Sequence, residues 1–275
     1  MADRADGQVS HTTRGILNPE AVERKFRLSR PLPSPDVAQF VEHYWIVSWD
    51  LRGEEPYTQE TLPYPCAHLV FEANSNTRVY GPMTGKFTRQ LEQQGQVFGV
   101  KFWPAGFHAF LQRPMSQITN RILRFEDVFG ERGDELEAAI LSHQDEHAMV
   151  DLAEQFLRTR LPEPDERAAT LNRIVGYIAA QRQITSVDEL LARCAECSMS
   201  KRTLQRLFSE YIGVGPKWVI RRFRLHDAAG RIDEGGSVDW PRLAVELGYA
   251  DQTHFIKDFK AIVGKTPGEY GRKRL

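Results

Sequence analysis

Two domains of different class are predicted for this chain of 275 residues. The N-terminal one is α+β, a small antiparallel barrel or sandwich with helices, and the C-terminal one is all-α. Three observations predict this. β-rich stretches fill the chain up to about residue 103, and nothing strand-like follows the helical region that begins near Gly133. The stretch PEPDE (162–166), with two prolines and three acids, reads as a linker. Charge divides at the same place. Residues 166–275 hold 19 Lys and Arg against 13 Asp and Glu, which leaves 17 against 24 in residues 1–165, although the whole chain has a formal net charge of −1. Two soluble domains of different pI would show this split, and so would a domain that meets phosphates.

The elements follow in order. Residues 1–27 read as a mobile tail and RPLPSPD (30–36) as a proline-rich lead-in. VAQFVEHYW (37–45) reads as a short helix running into a strand. HYWIVSWDL (43–51), AHLVFEA (67–73), TRVYG (77–81) and QVFGVKFW (96–103) are β-rich, partly alternating, and separated by Gly, Pro and Asn. PAGFHAFL (104–111) reads as a helix with Pro in its first turn. DELEAAILSHQ and EHAMVDLAEQFLRTRL each carry an apolar stripe at helical spacing. After the linker, helices are expected at 168–182, 187–195, 200–211, 216–232, 239–247, 251–262 and 267–273. The domain limits are thus 1–27 tail, 28–130 β-rich domain, 131–165 helical segment for dimerisation or linkage, and 166–275 C-terminal domain.

Composition sets bounds. A hydrophobic fraction of 41% supports packed cores, and 27% charged residues suit a soluble surface. No run approaches the ~18 apolar residues of a membrane helix. The polar start MADRADGQVSHTTRGILNPE has no apolar signal core, so a cytoplasmic location without a membrane partner is expected. Three cysteines, an odd number, argue against a disulfide framework.

The C-terminal part contains one device twice. Shifted by 51 residues, Ser200 falls on Asp251, Leu204 on Phe255, Arg206 on Lys257, Phe208 on Phe259, Gly213 on Gly264 and Pro216 on Pro267. Ser and Asp cap helix starts. The apolar pairs lie four residues apart on one face. Each Gly suits a left-handed helix end and each Pro the first turn of the next helix. A shorter helix precedes each copy, with Gly248 as the tight turn before the second. Helix, turn, and second helix with basic and amide side chains outward is the helix-turn-helix arrangement. The outward positions are Arg202, Gln205 and Arg206, then Gln252, Thr253 and Lys257. Arg donates two hydrogen bonds to guanine, Gln pairs with adenine, and Lys and Arg neutralise phosphates. An ordinary helical bundle with a solvated charged face is the competing reading, and a second copy at one offset counts against it.

These residues resemble the DNA-binding domain of AraC/XylS-type transcriptional regulators. The most specific stretch is LAVELGYADQTHFIKDFKAIVGKTPGEY (243–270), through Ala244, Gly248, Tyr249, Asp251, Phe255, Phe259, Gly264, Pro267 and Tyr270. The resemblance covers about 105 residues and implies two helix-turn-helix units joined by a long helix at 216–232. It implies base or phosphate contacts from the six outward residues and two successive major grooves read about 34 Å apart. One departure stands out. The usual Gly of the first turn is replaced near Ser198, and the connection 193–199 is longer than usual. The N-terminal region resembles, more weakly, a cupin-like sensor domain, through PYPCAHLVFEAN, VYGPMTG and VFGVKFWPAGFHAFLQRP. This implies a small barrel followed by helices that often form a homodimer.

Other constellations point less far. Cys194-x-x-Cys197 offers two thiols where a structural zinc wants four ligands, so core packing is expected. PCAH (65–68) approaches the Pro-Cys-His of DNA alkyl-transfer enzymes, but Ala67 breaks the motif. His43, His68 and His108 give no His-x-His, and His143 with His147 forms only an i,i+4 pair, so neither metal nor cofactor is expected. Tyr44, Trp45, Trp49, Tyr64, Phe71, Trp103 and Phe107 suit either a barrel core or a ligand pocket. His68, His108, Trp45 and Trp103 are the candidate ligand-binding residues.

The expected function is sequence-specific DNA binding by a transcriptional regulator, modulated by a small-molecule effector through the N-terminal domain. Partners are double-stranded DNA, the effector, a second copy of the chain, and RNA polymerase if the protein activates. The alternative is an enzyme whose N-terminal barrel acts on a small molecule or on DNA. No paired carboxylates, nucleophile–base set or phosphate loop supports it.

Overall fold

Alternating side chains in the N-terminal half build two antiparallel sheets. The structure, a computed structural model, describes residue 17 and residues 22–74, 77–181, 183–233 and 238–272. After a short helix α1 (Val22–Lys25) come strands β1 (Arg27–Ser29), β2 (Val41–Asp50), β3 (Tyr57–Thr61), β4 (His68–Glu72), β5 (Arg78–Tyr80), β6 (Phe87–Leu91), β7 (Gln94–Phe102) and, after α2 (His108–Leu111), β8 (Ile122–Arg124). Six strands pair in the order β1-β2-β7-β4-β5-β8, and β3 pairs with β6 in a second sheet. The four strands expected from the sequence are there. The shorter β1 and β8 pair at the two ends of the six-stranded sheet, and polar β3 (YTQET) and β6 (FTRQL) find each other.

Two local expectations are corrected. Residues 35–40 form turns rather than a helix, and β2 starts directly after them. The helix expected over 104–111 is only α2, from 108; residues 104–107 are turns in which the Gly106 amide bonds the Trp103 carbonyl at 2.8 Å. A Cβ on Gly106 would lie 2.3 Å from the Phe40 carbonyl oxygen, so this turn sits against the backbone that leads into β2.

Helices α3 (Glu126–Phe129), α4 (Asp134–Leu141) and α5 (Glu146–Arg158) follow. The apolar stripe of α5, Met149, Val150, Ala153 and Leu157, is buried in one core with Tyr44, Phe71, Phe98 and Phe102 of the sheet. The stripe that the sequence offers to a second copy is therefore occupied within the chain. Each larger side chain contributes about 1.5–3 kcal/mol by leaving water. Glu154 of α5 is buried as well. It accepts from the Ser34 amide at 2.7 Å and the Tyr44 hydroxyl at 3.3 Å, and Arg158 donates to it at 2.7 Å.

Helices α6 (Glu166–Ala180), α7 (Val187–Arg193), α8 (Lys201–Tyr211), α9 (Pro216–Asp233), α10 (Trp240–Glu246), α11 (Gln252–Val263) and α12 (Pro267–Arg272) complete the chain. They make two cores. Val219, Ile220 and Phe223 of α9 pack with α6, α7 and α8, whereas Leu225, Ala228, Ala229 and Ile232 pack with α10, α11 and α12. Each core also takes apolar residues from the N-terminal half: Ala105 in the first, Leu17 and Leu62 in the second. Leu17 lies in the stretch read as a tail, where its amide bonds the Glu60 carbonyl at 3.0 Å; residues 1–16 and 18–21 lie outside the described residues.

Candidate nucleic-acid interface and ligand cavity

The two repeated helices are built alike. Ser200 caps α8 by accepting from the Thr203 amide at 3.1 Å, and Asp251 caps α11 by accepting from the His254 amide at 2.8 Å. Gly213 and Gly264 follow the two helices at φ +89° and +82°. Pro216 and Pro267 open α9 and α12. Leu204, Leu207, Phe208 and Tyr211 of α8 are buried, as are Phe255, Phe259, Ile262 and Val263 of α11. The opposite faces are left to solvent. Arg202, Gln205, Arg206, Thr253 and Lys257 are exposed, and Gln252 is half-buried. Arg206 pairs with Glu210 at 3.0 Å one turn on; among the described residues Arg202 and Lys257 have no ion pair.

The longer first connection folds compactly. Residues 195–197 form a 3₁₀ turn, with Cys194 and Cys197 buried in the first core and the Cys197 thiol pushed up to about 12 by burial and by its neighbour Cys194. Ser186 caps α7 while Glu189 accepts from the Thr185 amide at 2.8 Å, a reciprocal capping box. Lys201 of α8 reaches Asp188 of α7 at 2.8 Å. In the second unit the turn residue Gly248 has φ +68°, and a Cβ there would lie 2.1 Å from the Thr185 Cγ2.

A cavity of about 530 Å³ lies between the two sheets. β2, β4 and β7 form one wall, and β3 and β6 another. Asn172, Val175, Gly176 and Ala179 of α6 and Phe223 of α9 close it from the C-terminal half. Trp45, His68 and Trp103 line it, with Trp49 and Tyr64 from the same set of aromatics. Tyr44, Phe71 and Phe107 are fully buried core. His108 is not among the lining residues. Its ring lies 4.1 Å from that of Tyr211, whose hydroxyl donates to Asp165 of the linker at 2.8 Å.

Hydrogen bonds fix the polar groups of this wall. The Trp45 indole donates to His68 Nδ1 at 3.1 Å, which leaves the proton on Nε2, 3.5 Å from the Cys66 thiol. Burial pushes His68 down to about 3 and the Cys66 thiol up to about 12. Cys66 is therefore a neutral thiol beside a neutral imidazole, the opposite of an activated nucleophile. Glu42 meets Lys101 at 2.9 Å. Burial alone would raise its carboxyl, but His43 and Lys101 outweigh burial and hold it at about 2. Among the described residues no group of three or more His, Cys, Asp or Glu is placed to hold a metal.

Sequence reasoning missed Glu42 and Lys101, because their meeting depends on strand register. From them a chain of contacts leaves the cavity. The Lys101 ammonium lies 4.0 Å from the Tyr64 ring centroid. Tyr64 meets Phe223 at 5.6 Å and His226 at 4.8 Å, both on α9. Next to them Arg222 Nε donates to the Pro63 carbonyl at 2.9 Å, while its two buried Nη groups have no hydrogen-bond partner among the described residues.

Residues 193–273 match the family described as a helix-turn-helix domain, and residues 29–124 match a domain of unknown function, DUF6597. The C-terminal region is an AraC-type helix-turn-helix domain. That domain supports a DNA-binding transcription regulator, and here it follows a β-rich domain. No described helix is long and apolar enough to cross a membrane. Among solved structures, the chain is similar to ToxT from Vibrio cholerae. For an apo point variant of ToxT from strain SCE256 the identity is 12% and the TM-score 0.42, over 83% of this chain and 97% of that one. For ToxT of strain O395 the values are 14% and 0.39, over 79% and 93%. For wild-type ToxT of strain SCE256 bound to an unsaturated fatty acid they are 15% and 0.36, over 90% and 91%.

Proposed function

We propose that this regulator reads DNA with both α8 and α11, and that a small molecule in the cavity sets how the two helices are held. The observation that carries the proposal is the cavity's composition: its walls come from the β-rich domain and from α6 and α9 of the AraC-type domain. An occupant therefore contacts both, and a ligand that fits one arrangement better than another shifts the population toward it. The contacts from Glu42 through Lys101 and Tyr64 to α9 give the shift a route. In this reading Arg206 and Gln205 contact bases from α8, while Thr253 and Lys257 serve bases or phosphates from α11, with Arg202 and Gln252 beside them. Residues 28–130 are the sensing domain and 166–275 the reading domain, joined by 131–165.

Selection of bound DNA from a random pool, with full-length protein near physiological salt, tests the reading half. Two short blocks about 34 Å apart are expected, one helical turn. Arg206→Ala should erase information in one block and Lys257→Ala weaken the other. A single block, unaltered by Arg206→Ala, would show that the first unit does not read bases.

A further inference from the structure

The cavity has a built aromatic floor. Trp45 and Trp49 of β2 lie directly opposite Gly99 and Gly95 of β7. A Cβ on Gly99 would fall 2.0 Å from the Trp45 indole, and one on Gly95 would fall 2.2 Å from the Trp49 indole. Both rings thus lie across bare backbone, in space that any other residue on β7 would fill. Both indole nitrogens are committed, Trp45 to His68 and Trp49 to the Glu92 carbonyl at 3.0 Å, so both rings are held in place. A glycine beneath an aromatic ring also stabilises strand pairing, and that alone would explain the two pairs. It does not explain why both indoles also line the cavity, Trp49 while packing at the same time against the Phe26, Leu51 and Leu91 cluster. The two rings stand four residues apart, about 13 Å along the strand. Of the ionised groups of the wall, Glu42 faces Lys101 and Glu72 faces Arg89, and Arg30 adds one more positive charge.

We propose that the cavity takes a flat aromatic molecule stacked on one indole of this floor, that of Trp49. This rests on the reading of the cavity as an effector site and names the chemical class. Rigid ring faces favour an arene in offset stacking. A flexible alkyl chain of equal apolar area gains no such geometry and loses rotor freedom on binding.

The test is calorimetric titration of the full-length protein with 2-naphthol and with decan-1-ol, alongside near-ultraviolet circular dichroism of the tryptophans. We expect 2-naphthol to bind at least tenfold more tightly and to change the indole dichroism. Trp49→Leu should weaken 2-naphthol at least tenfold and decan-1-ol less than threefold. Because that variant could disturb the sheet, Trp49→Phe, which keeps a ring over Gly95, serves as a second variant; it should hold 2-naphthol to within threefold of wild type. Decan-1-ol binding as well as or better than 2-naphthol overturns the aromatic class but leaves the cavity reading standing. Neither binding overturns both. Naphthol affinity unchanged by Trp49→Leu shows that the arene is not on this floor.

Discussion

Gly248→Ala tests whether the two helix-turn-helix units are locked together at their turns. Gly248 has φ +68°, a conformation that costs an L-residue about 1–2 kcal/mol. Its new methyl would also start 2.1 Å from the Thr185 Cγ2, in the residue just before the α7 cap. Thr185 cannot simply turn away, because its hydroxyl donates to Glu189 at 2.9 Å within the capping box. Overpacking of this kind costs about 1–3 kcal/mol. The sum is about 3 kcal/mol, or roughly a hundredfold faster amide exchange across residues 240–263, with 1.4 kcal/mol per tenfold. Thr185→Ser removes the offending methyl and keeps the hydroxyl. Alone it should cost under ~1 kcal/mol, and combined with Gly248→Ala it should recover the steric part, a coupling of about 2 kcal/mol. Exchange in Gly248→Ala within threefold of wild type would refute the reasoning, and so would a double variant no better than the single one.

Three further outcomes are expected. His68 resists protonation down to about 3, whereas an unfolded histidine titrates near 6.5, so its contribution is complete above pH 6.5 and falls as pH drops. The loss is about 2 kcal/mol at pH 5, and His68→Asn, which can keep an acceptor for Trp45, should flatten the melting temperature between pH 6.5 and 5. Arg222→Met should be neutral or should stabilise the protein by about 1–4 kcal/mol in thermal melts, because it removes a buried guanidinium whose two Nη groups meet no partner among the described residues. Glu154→Ala should cost about 1–3 kcal/mol in urea unfolding, since it removes the acceptor of the Ser34 amide and the buried Tyr44 hydroxyl while Arg158 keeps Asp36.

The AraC-type domain was the more legible half. Each of its helices lies within two residues of its expected place, because caps, glycines and prolines at fixed offsets are local signals that the chain carries twice. The N-terminal domain was legible only where strands are long and apolar. β3 and β6 are short and polar, and their pairing exists only once the chain has folded back. Helix 104–111 failed for a related reason: PAGFHAFL has helical local preference, yet its first half is taken up by a turn packed on Phe40. Of the candidate ligand residues, Trp45, His68 and Trp103 meet in one cavity because alternation and register bring them to one side. His108 points to Tyr211 instead, a contact between domains that no period in either domain announces.

A signal from the cavity does not need to reach either recognition helix directly. Phe223 touches the cavity and belongs to the first core, and Leu225, two residues on, belongs to the second. In the proposed reading, pressure at this point would tilt the two halves of α9 relative to one another and leave the packing inside each unit alone. What should change is the spacing of α8 and α11, and hence affinity for a site with both blocks rather than for either block by itself. Gly176 of α6 allows a test without a ligand. It lies at the rim of the cavity, and a Cβ added there meets nothing within 4 Å. Gly176→Leu would occupy part of the cavity and should gain about 1 kcal/mol of helix propensity. Affinity for two-block DNA should shift at least fivefold, in either direction, with single-block affinity unchanged. Equal shifts for both kinds of site would mean that the cavity acts on a unit's own fold, and no shift would disconnect it from DNA reading.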